Sequence, residues 1–347
     1  MQEILKLQKK IVPELVELLE KRYSILRAIY YNQPIGRRIL ANMLSLGERI
    51  VRTEINFLKS QGLIEINTPG MTVTKDGEEI LENLKGFIHE IKGLSDVEEF
   101  IRKSLGTKKV IVVPGDMDID NSIIKELGKA AANYAKSIIK SGNIIAITGG
   151  STIKEVIDNF PKMSNIHNAM VVPARGGMGK KVETQANTLA ARLAEKLNGS
   201  YKMLHVPENL SEEILETIIQ EKEIKDVIDT IHKADVLVYG IGRADKMALK
   251  RGLSQEQFDR LTSLGAVGEA FGFYFDKQAK VISVNQTLGI NINDVNKIST
   301  HIAVAGGKNK VEAILATELN KSNGVLITDE GAAMKIIEYL SGSNNQE

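Results

Sequence analysis

Hydrophobic and polar positions change rhythm once along this chain. Over residues 107–341, β-branched runs alternate with amphipathic stretches, whereas residues 1–90 keep a helical period that gives way to one hairpin-like segment. The runs KVIVVPG (109–115), IIAIT (144–148), AMVVPA (169–174), YKMLHV (201–206), DVLVYGIG (235–242), AKVISV (279–284), THIAVAGG (300–307) and GVLIT (324–328) predict strands. Several are continuous Val/Ile runs without polar alternation, the pattern of strands covered on both faces. Between them, residues 122–139, 182–197, 254–264, 310–319 and 331–340 predict helices. The alternation predicts an α/β fold with a doubly wound, mostly parallel sheet, whose ligand belongs outside the carboxyl ends of the strands.

The N-terminal region predicts an all-helical winged helix-turn-helix domain, its wing a pair of short strands within residues 63–81. A first helix buries Ile25, Leu26 and Ile29. Pro34 opens a second with Ile35, Ile39, Leu40 and Leu44 facing inward, and a third buries Ile50, Val51, Ile55 and Leu58. The segments 1–84, 85–106 and 107–347 read as a DNA-binding domain, a helical linker and a ligand-binding domain.

Charge sharpens this picture. The chain as a whole carries only +1, but residues 21–59 hold eight basic residues against two acids, and residues 60–99 hold three against nine. The basic excess sits on the helices that would meet DNA, where it displaces counterions from phosphate. Arg49, Arg52 and Thr53 lie near the start of the third helix, the end that enters the major groove, where arginine forks onto guanine. Arg37 and Arg38 are placed to touch the backbone phosphates.

Composition removes several chemistries. At 347 residues with 43% hydrophobic and 26% charged positions, the chain has the make-up of a globular protein with one large domain and a smaller one. It has no cysteine, which excludes thiolate metal sites and thiol nucleophiles, and its five histidines show no ligand spacing, so no metal and no cofactor is expected. No apolar run reaches the ~18 residues of a membrane span, and the expected compartment is the cytoplasm.

The stretch NIIAITGGSTIK (143–154) runs from a strand through two glycines and two hydroxyls into a helix. Glycines bring backbone N–H groups close to an anion, Ser151 and Thr152 add donors, and the helix start adds partial positive charge. Alone, the stretch also fits a plain strand–turn–helix connection. Three further strand ends carry glycine turns, with Arg175 before Gly176-Gly177, Lys250 and Arg251 following Gly240 and Gly242, and Lys310 following Gly306-Gly307. A guanidinium forks around phosphate in the same way as around carboxylate. The gathering points to a phosphorylated small molecule.

These segments resemble the SorC family of bacterial sugar-responsive transcription regulators. The likeness rests on QPIGRRILANML, ERIVRTEINFLKSQGLI, TGGST, VPARGGMG, VETQANTLAARLA, GAVGEAFGFYFD and AGGKNKVEAI, in this order along essentially the whole chain. It implies a sugar-phosphate isomerase-like effector domain joined to a winged-helix DNA reader, acting as a homo-oligomeric repressor in carbohydrate metabolism. It also implies operator DNA and fructose 1,6-bisphosphate, or a related sugar phosphate, as partners, and a dimer or tetramer as the assembly. Carried over by motif, phosphate contacts fall to Gly149, Gly150, Ser151, Thr152, Arg175 and Lys310. Gln185, Asn187 and Glu269 would stand near the sugar hydroxyls, and either Lys250 or Arg251 at a second phosphate. The rival is a sugar-phosphate isomerase or deaminase. The acid–base segment that the deaminase carries after its glycine turn reads Arg243-Ala244-Asp245 here, without a histidine. No catalytic residue is assigned, and the expectation is a sensor.

Overall fold

The structure, a computed structural model, describes residues 10–177, 181–207, 211–284, 288–318 and 322–343. The Met178-Gly179 end of the VPARGGMG segment and the tail beyond residue 343 lie outside these. Contacts divide the chain into two units, Met1–Val97 with Pro114–Ile123, and Glu98–Val113 with Ile124–Glu347.

The first unit contains α1 (Pro13–Asn32), α2 (Arg37–Met43), α3 (Glu48–Ser60), an antiparallel pair β1 (Ile64–Asn67) and β2 (Gly70–Val73), and α4 (Lys75–Ile91). Ile25, Leu26 and Ile29 of α1, Leu40 of α2, Val51, Ile55 and Leu58 of α3, and Ile64 and Met71 of the wing share one core. Two inward positions expected from the sequence are corrected. Ile39 is 60% exposed and Ile50 44% exposed. For Ile39 the reason lies at the start of the second helix, which begins at Arg37 and not at Pro34, whereas Ile50 sits on α3 to one side of the buried stripe of Val51, Ile55 and Leu58. Ile35 instead joins the wing, donating to the Met71 carbonyl at 3.2 Å and accepting from the Met71 N–H at 2.9 Å. This close approach requires Gly70, where an added Cβ would sit 2.8 Å from the Ile35 nitrogen at φ +142°. The strand reading of 63–81 is also shortened. Thr74 caps α4 by accepting from the Gly77 N–H at 3.1 Å, so residues 75–81 are helical.

The second unit takes up most of α5 (Leu94–Leu105), followed by β3 (Lys109–Val113), α6 (Ile123–Ile138), β4 (Ile144–Ile147), α7 (Ser151–Asp158), β5 (Met170–Pro173), α8 (Ala186–Leu197) and β6 (Ser200–Tyr201). Next come α9 (Glu212–Ile218), α10 (Lys222–Ile231), β7 (Val236–Arg243), α11 (Ala244–Lys250), α12 (Gln255–Ser263), β8 (Gly268–Ala270), β9 (Phe273–Phe275) and β10 (Val281–Val284). The last elements are α13 (Ile292–Val295), β11 (Thr300–Val304), α14 (Val311–Glu318), β12 (Gly324–Asp329) and α15 (Glu330–Ser343). The expected linker is thus two helices, α4 and α5, broken by Gly93 at φ +64°. YKMLHV enters the sheet only through Tyr201, and β8 and β9 are strands that the apolar runs did not announce.

The parallel strands lie in the order β6-β5-β4-β7-β11-β12-β3, with Val238 of β7 opposite Ile147 on one side and Ile302 on the other. From β4 the chain moves outward to β5 and β6. From β7 it moves the other way, to β11 and β12. The order reverses between β4 and β7, the place where open α/β sheets form a ligand crevice. β7 outruns β4, and its last residues, Ile241–Arg243, pair with antiparallel β8. One edge of β7 is therefore shared, by β4 first and β8 afterwards.

Candidate functional site

A cavity of about 260 Å³ opens at this reversal point. Its floor is the turn after β4, where the Thr148 N–H bonds the Val238 carbonyl at 3.0 Å and Gly150 at φ +119° leads into α7. Gly149 is packed so closely on the next layer that an added Cβ would lie 2.7 Å from the Thr184 carbonyl oxygen. The Gly150 N–H donates to that same oxygen at 2.8 Å. Ser151, Thr152 and Ile153, the first turn of α7, line the cavity. First-turn N–H groups have no acceptor within their own helix and favour an anion.

Of the effector residues expected from the sequence, Gly149, Gly150, Ser151, Thr152, Arg175, Lys250, Arg251, Glu269 and Lys310 all line this one cavity, although they come from five separate segments. Gln185 and Asn187 are not among its lining residues. Gln185 is the extended residue preceding α8, and it breaks the expected helix 182–197 after a single 3₁₀ turn. Asn187 holds the backbone of Leu204, donating to its carbonyl at 3.1 Å and accepting from its N–H at 2.9 Å.

The deep wall carries a charge cluster. Arg251 donates to Glu269 at 2.6 Å, Arg175 comes within 3.8 Å of the same carboxylate oxygen, and the Gly272 N–H donates to it at 2.6 Å. All three charged side chains are buried. Arg175 is held by the segment after β10, where Gly176 and Ile290 exchange backbone hydrogen bonds with Leu288 and Ala174. Gly289 permits the approach, since a Cβ there would fall 2.6 Å from the Arg175 Cα. Among the described lining residues Glu269 is the only carboxylate, and Lys250, Lys246, Arg243 and Lys310 add further positive charge.

The lining also includes residues to which the sequence reading gave no effector contact, among them Arg243, Lys246, Phe271 and Asn309. Arg243 ends β7 and Lys246 follows in α11; the Gly240-Ile-Gly242 segment, expected as a turn, is instead the last part of that strand, and both cations were legible after it. Arg243 is oriented by Asp245, whose carboxylate it meets at 2.6 and 3.0 Å. Burial works to raise the Asp245 carboxyl, but hydrogen bonds from Arg243 and the Lys246 N–H outweigh it and hold the group below its ordinary value. Phe271 gave no signal. It turns the β8–β9 hairpin with φ +38° beside Gly272 at φ +98°, and its ring meets Tyr239 edge-on at 5.0 Å. Tyr239 in turn donates to Glu318 at 2.7 Å, and burial followed by the Glu318 charge pushes its phenol well above the usual range.

In the first unit, Arg37, Arg38, Arg49, Arg52 and Thr53 are all exposed. Arg38 faces Glu48 at 3.7 Å, and the Thr53 hydroxyl donates to the Arg49 carbonyl at 3.1 Å. Two members of the basic excess are used internally. Arg22 pairs with Glu54 at 2.8 Å and lies 3.5 Å over the Phe57 ring, while buried Arg27 donates to the Pro114 carbonyl at 2.8 Å.

Known proteins show the same two parts. The family described as "CggR N-terminal DNA binding domain" matches residues 18–88, and that described as "Putative sugar-binding domain" matches residues 89–338. The central glycolytic genes regulator of Bacillus subtilis is 41% identical over 97% of this chain and 99% of its own. A SorC family transcriptional regulator from Enterococcus faecalis is similar in structure with a TM-score of 0.65 and 36% identity, covering 70% of this chain and 99% of that one. The full-length sorbitol operon regulator SorC of Klebsiella pneumoniae, at 20% identity, shares the fold with a TM-score of 0.65 over 90% of this chain and 96% of its own.

Proposed function

The chain belongs to the SorC-type family of sugar-binding transcription regulators that includes the central glycolytic genes regulators, and on that premise we propose that it represses glycolytic genes and that fructose 1,6-bisphosphate lowers its operator affinity. It is a DNA-binding regulator with a sugar-binding domain, and not an enzyme. The reading takes residues 1–84 as the DNA reader, 85–106 as the connector and 107–347 as the effector part. The boundary between the two matched families, at residues 88 and 89, falls inside that connector.

One observation carries the effector assignment. A single cavity gathers the Gly149–Thr152 turn, Arg175, Arg251, Lys250 and Lys310, while its sole described carboxylate is already engaged by an arginine and a backbone N–H. Such a lining grips anions. A base for proton abstraction needs a carboxylate that is open to the substrate, and Glu269 is tied up by its neighbours. Cations on the deep wall and on α11 suit a sugar with two phosphates better than one. For regulation, the ligand must bind the DNA-released state more tightly than the DNA-bound state. The reading assigns the protein to the cytoplasm as a dimer or tetramer that presents two or more winged helices to the operator.

A thermal-shift panel of sugar mono- and bisphosphates tests the assignment. At ~100 times its dissociation constant, a true effector adds about 2.7 kcal/mol of stability. Fructose 1,6-bisphosphate is expected to raise the melting temperature above every monophosphate. An equal or larger shift from a monophosphate contradicts the bisphosphate reading.

A further inference from the structure

The exposed face of α3 carries more than the two arginines and the threonine. At 100° per residue, Val51, Glu54, Ile55 and Leu58 form the buried stripe of this helix. Opposite that stripe, within about 60° of one another, stand Arg49, Thr53 and Asn56, all exposed. Ile50 lies on the flank of this face, 44% exposed beside Thr53.

We infer that Asn56 and Ile50 are base-reading residues, Asn56 recognising an adenine and Ile50 the methyl group of a thymine. The inference rests on the DNA-reading function proposed above and deepens it. Asparagine matches the N6 donor and N7 acceptor of adenine in the major groove, and no other base offers that pair there. Along the helix axis Asn56 lies about 10 Å from Arg49, roughly three base-pair steps, so the two address different base pairs. An exposed isoleucine on a helix that meets water on one side is a liability in the free protein. Against a groove wall it has a partner, because the thymine methyl is the one apolar group displayed there. Thr53 has its hydroxyl proton turned back to the Arg49 carbonyl, which leaves its methyl and an acceptor lone pair outward. Arg52, with Lys59 on its side of the helix, adds positive charge at the other flank.

The test uses the full chain and a randomised duplex pool. Wild type is first used to select its preferred site. Within that site each adenine is then replaced by 7-deazaadenine, which deletes N7, and each thymine by uracil, which deletes the methyl. We expect 7-deazaadenine at one position per half-site to weaken wild type about tenfold while leaving Asn56→Ala unaffected. Uracil at a neighbouring position is expected to weaken wild type about fourfold and to leave Ile50→Ala unaffected. Both side chains are on the surface, so unchanged melting temperatures check that the variants fold. If Asn56→Ala and Ile50→Ala show the same analogue penalties as wild type, the inference is overturned and the DNA-reading function stands. If wild type selects no site from the pool, the DNA-reading function falls, and the inference with it.

Discussion

Arg251 and Glu269 form a 2.6 Å ion pair with only 1% and 4% of the two side chains exposed. The neighbouring Lys250 is exposed on the same cavity. These two cations, one residue apart, therefore have different duties. Arg251→Ala strands a buried carboxylate, and the expected loss is about 3 kcal/mol of folding stability, read by urea denaturation. Lys250→Ala should leave stability within about 0.5 kcal/mol of wild type and weaken binding of fructose 1,6-bisphosphate.

Gly149→Ala tests the turn itself. The new methyl would meet the Thr184 carbonyl oxygen at 2.7 Å and the Ala186 nitrogen at 3.2 Å, both backbone atoms that cannot swing aside. The turn must shift, with an expected destabilisation of about 1–3 kcal/mol. The thermal shift produced by sugar bisphosphate should be lost along with it.

Asp158 offers a pH test away from the cavity. Burial raises its carboxyl, but hydrogen bonds from Lys154 at 2.5 Å and from Arg192 outweigh this and lower it below the ordinary carboxylate value. A lowered folded-state value stabilises above the unfolded value, and that stability disappears as pH falls through the folded value. Asp158→Asn should thus melt below wild type at pH 7, by no more than about 1 kcal/mol because the cluster is partly solvated. The gap should close as the pH is taken well below 4, as followed by circular dichroism.

Arg52→Ala separates the two halves of the function. Arg52 is exposed on α3 and is not one of the residues that line the cavity. Loss of one arginine contact to a base should weaken operator binding by about 1–3 kcal/mol, while the sugar bisphosphate thermal shift stays at its wild-type size.

How far these residues could be foreseen depends on the range of the interaction. The parallel core was legible because runs such as VIVV in β3 and IIAI in β4 are buried on both faces, a local property of the sequence. The three-residue strands β8 and β9 were not, since they owe their place to the long edge of β7 and to a two-residue turn at Phe271-Gly272. Ile39 was misread because a period can be fitted to a helix only once its start is known. The Met71 backbone, 36 residues beyond Ile35, moves that start to Arg37. In the cavity, the Gly149-Gly150 turn and the cations announced themselves. The pairing of Arg251 with Glu269, 18 positions apart, and the use of Asn187 as a clasp on Leu204 emerge only from tertiary packing.

The most direct measurement follows fluorescent operator DNA titrated with the full chain, with and without millimolar fructose 1,6-bisphosphate, beside Arg175→Ala. The account predicts that the sugar weakens DNA binding by wild type, and that Arg175→Ala binds DNA normally but loses this response. Identical DNA affinity and assembly of wild type with and without the sugar would contradict it.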